Sequence, residues 1–571
     1  MIGEVKFDPV TVEILWKRLI SIMDEVDQAV VRTSFSTIVG ESRDFACILL
    51  NERGESLAQS TFSTPNFTVT LPRTVKEFTR RFPIDTLSEG DVLATNDPWL
   101  ASGHLPDFSI ATPVFYRGRV VAFMGTVAHL ADIGGTLSYF SAKEVFEEGL
   151  RLPPVKLFSR GQPDKTLLDI IAANVRVPDM VLGDIYAIVG AQRIGAQKLQ
   201  EFLDDAGLDD LRELSQEIHG RSEAAMRAAI RELADGQYRN EITIDGYKQP
   251  VVIRCTITVD GDSILIDYTG TSPQTSDGAI NVVAAGTFAA SVYPLKCSFV
   301  PDIPNNEGLF RPVRVYAPEG SILNCRFPAA VRSRSKVSFH LHSAIYGALA
   351  SVVPEKVQAG SGSFWSFTAH GRDETGNNFS VQFLPWGGKG ATALMDGLST
   401  TAFPLNGSAT PAEIVENISP LLIMRRELLQ DSGGPGQFRG GLGQRVVVES
   451  MSERETIVAV RPDKLHYPPL GLLGGADAPH GRCLLNGKPA SIDAPFQFRR
   501  GDILVMEVPG GGGYGPPERR DPRAVQADVQ EGFVSVEAAD ADYRVAIVPT
   551  TREIDWDETD RLRGRPGGLG G

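Results

Sequence analysis

Cysteine is scarce in this chain: five residues in 571 (Cys47, Cys255, Cys297, Cys325, Cys483), widely scattered and without a Cys-x-x-Cys pair. A thiolate metal cluster is excluded, the usage fits a reduced compartment, and each cysteine reads better as a buried structural thiol than as a nucleophile. Positive charge is short too: 56 Lys plus Arg face 71 Asp plus Glu, a formal charge of -15, with no compact basic run to offset it. A phosphate backbone or an anionic leaflet would be repelled, so neither nucleic acid nor membrane is an expected partner. No apolar stretch nears the roughly 20 residues that span a bilayer. The opening MIGEVKFDPV lacks a basic segment followed by an apolar core, and a cytoplasmic location is expected. No fixed-period repeat is visible, and no G-x-S-x-G elbow offers a serine nucleophile. Glycine runs are present, but neither WGGKGA (386–391) nor GGPGQFRGGLG (433–443) has the strand, loop and helix pattern with Lys-Ser/Thr of a Walker loop. Tight turns or close backbone packing explain them better.

What remains is an ordinary globular balance, 42% hydrophobic and 22% charged, read here as an α+β chain of roughly three or four domain-sized units. Asp8-Pro9 is a helix start, and Val12, Leu15, Leu19, Ile22, Val26 and Val30 recur at helical spacing to about Arg32. Phe45 to Asn51 and Ser56 to Gln59 read as a hairpin. Residues 107–116 and 119–128 are apolar, β-prone and separated only by Arg117-Gly118, the length of a tight antiparallel turn. The expected units are a metal-binding region at 1–236 with a helical segment at 166–235, a β-rich region at 237–330, a mixed glycine-rich region at 331–510, and an extension at 511–571 whose RPGGLGG tail is loose.

Of the eight histidines, His104 (GHLPD) immediately precedes the second hairpin and His129 (AHLAD) immediately follows it. A two-residue turn pairs Pro106 with His129 and Asp107 with Ala128, to within one residue, so His104, Asp107 and His129 converge at one open end. Two imidazoles and a carboxylate with open positions suit Zn, Mn, Fe or Co. Asp97 and Asp132 lie close enough in sequence to orient the imidazoles as acceptors. The histidines could equally cap strand ends or satisfy loop carbonyls. His340 and His342 alternate along SFHLHS and could share a strand face, with a metal role less favoured. Arg43 and Asp44 could form an ion pair, or the acid could face the hairpin mouth as a proton acceptor.

The strings VRTSFSTIVGESRDFAC, NDPWLASGHLPD, AHLADIGG, EEGLRLPPVKL, NVRVPDMVLGDI, NNEG, SGGPGQFRGGLG and PGGGGYGPPERRDP closely resemble the hydantoinase B/oxoprolinase family, in order and across nearly the whole chain. That family includes B-type subunits of ATP-dependent N-methylhydantoinases, 5-oxoprolinases and a caprolactamase, and related subunits of acetone and acetophenone carboxylases. The resemblance implies a metal-bearing subunit of a hetero-oligomer, acting on a cyclic amide that an A-type subunit phosphorylates with ATP and Mg, which bind there and not here. It implies metal ligation by His104, Asp107 and His129, and proton transfer by Asp44, with Glu41 a second candidate. Two departures, Ala-Ser-Gly before His104 and Leu130 where many members have a second histidine, bear on substrate identity. A ketone carboxylase subunit is the alternative, and a scaffold with a structural ion a third reading.

Overall fold

A computed structural model of the chain describes residues 7–373, 375–491 and 494–564; the RPGGLGG tail lies outside them. The Asp8 carboxylate accepts from the amides of Val10 and Thr11 and starts helix α1 (Pro9–Thr33) with Pro9 in its first turn. A short α2 (Thr37–Gly40) leads to β1 (Phe45–Asn51) and β2 (Ser56–Gln59), then α3 (Pro65–Arg81), β3 (Val92–Thr95), β4 (Asp107–Tyr116), β5 (Arg119–His129), β6 (Val155–Ser159) and β7 (Gln162–Pro163). These strands form an antiparallel sheet in the order β2-β1-β5-β4-β3-β6-β7.

Both faces of this sheet are covered. Helices α4 (Lys165–Asn174), α5 (Pro178–Ala206) and α6 (Arg212–Arg231) follow; α1 packs over Phe45, Cys47 and Leu49 of β1, and α5 packs on α1 and over β4 and β5. On the opposite face Phe67, Leu71, Val75 and Phe78 of α3 cover Ala46, Ile48 and Leu50. Double coverage explains why β1, β4 and β5 read as continuous apolar runs rather than alternating ones. All six α1 positions picked out by periodicity are buried.

The chain then forms β8 (Gly236–Ile244), β9 (Val251–Asp260) and β10 (Ser263–Asp267), with α7 (Ala284–Phe299) and β11 (Val313–Tyr316), in a four-stranded sheet β11-β10-β9-β8. After α8 (Ser335–Ser338) and α9 (Leu341–Leu349) come β12 (Ser366–Arg372), β13 (Asn378–Phe383), α10 (Ala412–Ile418), β14 (Leu421–Leu428), β15 (Gln444–Ser450), β16 (Thr456–Arg461), β17 (Arg482–Leu485), β18 (Lys488–Pro489), β19 (Phe496–Gln497) and β20 (Ile503–Val508). They make two further sheets, β13-β12-β16-β19 and β14-β15-β20-β17-β18, before α11 (Pro522–Gln530), α12 (Val536–Tyr543) and α13 (Trp556–Leu562) close the described chain. The fold is α+β. No helix among the described residues is long and apolar enough to cross a membrane.

Two expectations are corrected. His340 and His342 do not share a strand face: His340 caps α9 and His342 lies in it, because Val337, Leu341, Ala344 and Ile345 supply a helical apolar face that outweighs the His-Leu-His alternation. Cys297 is exposed on α7, while Cys47, Cys255, Cys325 and Cys483 are buried as expected.

The glycine runs form a backbone seam. The Gly511 amide donates to the Gly441 carbonyl, that of Gly512 to Gly360, that of Gly388 to Pro509 and that of Gly434 to Gly511, at 2.8 to 3.1 Å. A Cβ on Gly511 would stand 2.2 Å from the Lys389 carbonyl oxygen. Close approach of main chains requires glycine here, and these amides are spent on carbonyls rather than held open for phosphate.

Candidate metal centre

The β4–β5 hairpin delivers the site. Near the turn, Tyr116 pairs with Arg119 and Phe115 with Val120, but Val121 is an extra residue, and from Val114 opposite Ala122 onward the register is shifted by one. This β-bulge sets Asp107 directly opposite His129, correcting the expected pairing of Asp107 with Ala128. Strand β1 flanks β5 on its other side, and the His129 amide donates to the Asp44 carbonyl at 3.0 Å. His104 enters from the loop before β4.

Asp107 is fully buried and its two oxygens are divided. Oδ2 accepts from Ser102 Oγ and Arg334 Nη2, both at 2.6 Å. Oδ1 lies 2.7 Å from His104 Nε2 and 3.0 Å from His129 Nδ1. Burial alone would raise the Asp107 carboxyl, but the His104 ring when protonated and the Arg334 guanidinium beside it hold it well below the usual carboxylate range. His104 Nδ1 donates to the Arg332 carbonyl at 2.8 Å, which leaves Nε2 with its lone pair toward Asp107 when the ring is neutral. Burial pushes His104 down to about 4, favouring that neutral form. Two lone-pair atoms 2.7 Å apart repel unless a cation bridges them, so the donor set fits a divalent ion. The ligand atoms of His104, Asp107 and His129 lie within 4.8 Å of one another.

The triad opens on a cavity of about 80 Å³ whose wall also carries Asp44, Tyr139, Arg332, Arg334, His370 and Arg461, with Phe339, Phe364, Leu384 and Leu405 supplying its apolar part. Asp44 is 8% exposed and its Oδ1 accepts from Thr64 Oγ1 at 3.4 Å. Burial lifts its carboxyl to about 6, opposed by the nearby His129 and helped by the Asp107 charge. The Arg43–Asp44 ion pair considered from the sequence does not form: Arg43, in the left-handed region at φ 55°, turns to Asp27 and the Phe62 ring. Glu41 ends α2 and does not line the cavity.

Asp97 and Asp132, expected to orient the imidazoles, bond elsewhere. Asp97 accepts from the Trp99 amide and pairs with Arg151, whereas Asp132, although on the cavity wall, is held by the Arg176 amide and guanidinium. The orienting acceptor for His104 is the Arg332 carbonyl, and the backbone immediately before it is held by Glu148. The Glu148 Oε1 accepts from the Val331 and Arg332 amides at 2.7 and 2.8 Å. Burial raises the Glu148 carboxyl to about 7, against the pull of those amides. Glu148, Arg332 and Arg334 were missed by reading the sequence, although the acid of EEGLRLPP and the Arg-x-Arg of VRSRSK were visible signals. After His129, Gly134 and Gly135 (φ 77° and 66°) turn the chain where a Cβ would meet the Asn174 carbonyl or the Glu148 backbone at 2.3 Å.

Residues 8–517 match the hydantoinase B/oxoprolinase family model. The chain is 32% identical to a putative D-/L-hydantoinase B-type subunit of Pseudomonas sp. (strain NS671), over 98% of each chain. Among solved structures it resembles the ATP-dependent caprolactamase from Pseudomonas jessenii at TM-score 0.89 and 29% identity, over 98% of this chain and 100% of that one. It matches nucleotide-free acetone carboxylase at TM-score 0.89 and 19% identity, over 99% of this chain and 83% of that one, a likeness of fold alone. With its hairpin triad and this extent of similarity, the chain belongs to the hydantoinase B/oxoprolinase family.

Proposed function

We propose that the chain is the metal-bearing B-type subunit of an ATP-dependent cyclic amidohydrolase, hydrolysing a hydantoin, oxoproline-like or lactam ring after an A-type subunit has phosphorylated the amide oxygen. The observation that carries this reading is the meeting of both imidazoles on Asp107 Oδ1 inside a cavity that also holds Asp44. The names of the relatives, a hydantoinase B-type subunit and an ATP-dependent caprolactamase, support both the reaction class and a partner subunit.

An amide is a poor electrophile, and phosphorylation of its oxygen gives an imidate-like carbon with a good leaving group. His104, Asp107 and His129 would hold a Zn, Mn or Fe ion, which supplies Lewis acidity and lowers the pKa of water toward neutrality. Asp44, lifted to about 6 by burial, takes the proton of the water that adds to the ring carbon and passes it to the ring nitrogen. The proton of the new hydroxyl follows to nitrogen as the C–N bond breaks, and the acyl phosphate left behind is hydrolysed by a second water to carboxylate and inorganic phosphate. Arg334 and Ser102 hold Asp107 in one orientation by occupying its Oδ2. Phe339, Phe364, Leu384 and Leu405 pack against the ring and keep bulk water away. ATP and Mg bind in the partner subunit; the hydrogen-bonded glycine seam supports that division, since its amides are already engaged.

The test is co-expression with the adjacent A-type subunit, addition of ATP, and product analysis with cyclic amides and with ketones plus bicarbonate. Ring opening is expected. Bicarbonate-dependent ketone consumption would move the chain to the carboxylase branch, and turnover surviving Ala at both His104 and His129 would reduce the site to a scaffold.

A further inference from the structure

Three guanidiniums stand on the cavity wall, and two are committed. Arg334 donates to Asp107, and Arg332 donates to the Thr136 carbonyl at 2.8 Å. The third, Arg461, ends β16 opposite Ser366 of β12 and is 4% exposed. Its guanidinium carbon lies 4.8 Å from the Phe364 ring centroid, and among the described residues no hydrogen bond or ion pair reaches its nitrogens. The acid nearest in sequence, Asp463, is spent: Oδ1 accepts from Lys336 Nζ at 3.1 Å and Oδ2 meets His340 Nε2 at 2.9 Å.

Burying a charge without a counter-charge is costly, and structures keep such groups where a ligand completes them. Contact with the face of Phe364 holds the guanidinium against the cavity wall, and its N–H donors are left unclaimed by protein groups, as arginine needs if it is to take two oxygens of one anion. We infer that Arg461 is the anchor for an anionic group of the substrate, a planar or tetrahedral oxyanion presented in the same cavity as His104, Asp107 and His129. The inference rests on reading this cavity as the site of ring-amide hydrolysis. Two sources share the chemistry: a carboxylate carried on the ring, or the phosphoryl group installed on the amide oxygen. Arg461 thereby selects charged or activated rings over neutral ones, while the apolar wall accepts the ring body.

The test is calorimetric titration of the full-length purified chain, without ATP or partner, using three probes: 5-oxoproline, its uncharged counterpart 2-pyrrolidinone, and inorganic phosphate. At least one anion should bind the unmodified chain. Arg461→Met should weaken it by roughly 10-fold or more, and Arg461→Lys, which keeps the charge but loses the fork, should fall between. Binding of 2-pyrrolidinone should not respond to either change. Preference for 5-oxoproline assigns the anchor to a ring carboxylate, and preference for phosphate to the phosphoryl group. Failure of both anions to bind the unmodified chain, or equal binding by Arg461→Met, overturns the inference. If Arg461→Met does not fold, Arg461→Lys decides, and unchanged anion affinity there overturns it. Since no turnover is measured, cyclic-amide hydrolysis can fail while anion anchoring stands, and the reverse.

Discussion

Asp107 and His129 stand directly opposite each other across β4 and β5 because Val121 bulges out of the ladder. A period-two strand flips its side chains with each one-residue slip, so this bulge decides whether His129 faces the acid at all. Replacing His104 or His129 by Ala should abolish stoichiometric metal in the purified chain, by elemental analysis, with the fold retained by circular dichroism. Ser102→Ala removes one donor to Asp107 Oδ2 without changing charge, and should weaken metal binding roughly 10-fold in chelator competition.

Asp44 lines the cavity but lies outside the triad. Asp44→Asn should lower kcat by about 10²- to 10⁴-fold in the reconstituted ATP-dependent assay, the range of a lost general acid–base. Metal content should stay at the unmodified level; a matching loss of metal would make Asp44 a ligand instead.

Glu148 gives the fold a pH dependence. Its carboxyl, ordinarily near 4.5, is raised by burial to about 7, so the folded chain holds that proton more tightly than the unfolded one. The resulting stability is fully present below about 4.5 and is lost as pH rises through 7, worth at most about 3 kcal/mol. Glu148→Gln keeps an acceptor for the Val331 and Arg332 amides without the titration. Urea midpoints at about pH 5.5 and 8.5, on either side of that transition, should therefore diverge less in the variant.

Two glycines should respond oppositely to alanine. Gly190 is exposed within α5 and a Cβ there meets nothing within 4 Å, so Gly190→Ala should stabilise by up to about 1 kcal/mol. Gly511→Ala drives a methyl into the Lys389 backbone and should cost more than about 4 kcal/mol, read as loss of soluble folded protein.

Features specified locally were legible in the sequence. The Asp8-Pro9 cap, the helical spacing from Val12 to Val30 and the Arg117-Gly118 turn depend on neighbours a few residues away, and all three appear in the structure. The convergence of His104 with His129 followed from the same hairpin. The bulge at Val121 did not, because the Arg117-Gly118 turn encodes only the pairs next to it and carries no sign of an extra residue further along β5. Glu148 acts through amides 183 and 184 residues along the chain, a relation no local pattern encodes. Asp97 and Asp132 were near the histidines in sequence, yet Arg151 and Arg176 claimed them. His340 and His342 misled because their two-residue alternation is overridden by the apolar spacing on either side of it.

The glycine seam also constrains how the molecule is made. It joins stretches near residues 360, 388, 440 and 511 by main-chain bonds. A nascent chain can complete the β1–β7 layer while its later half is still being synthesised, but the seam has nothing to close on until its last strip leaves the ribosome. Contacts so distant along the chain form slowly, and exposed main-chain edges invite mispairing in the interval. Truncation just before Pro509 should therefore do more than shorten the protein: it removes the strip on which three earlier ones wait.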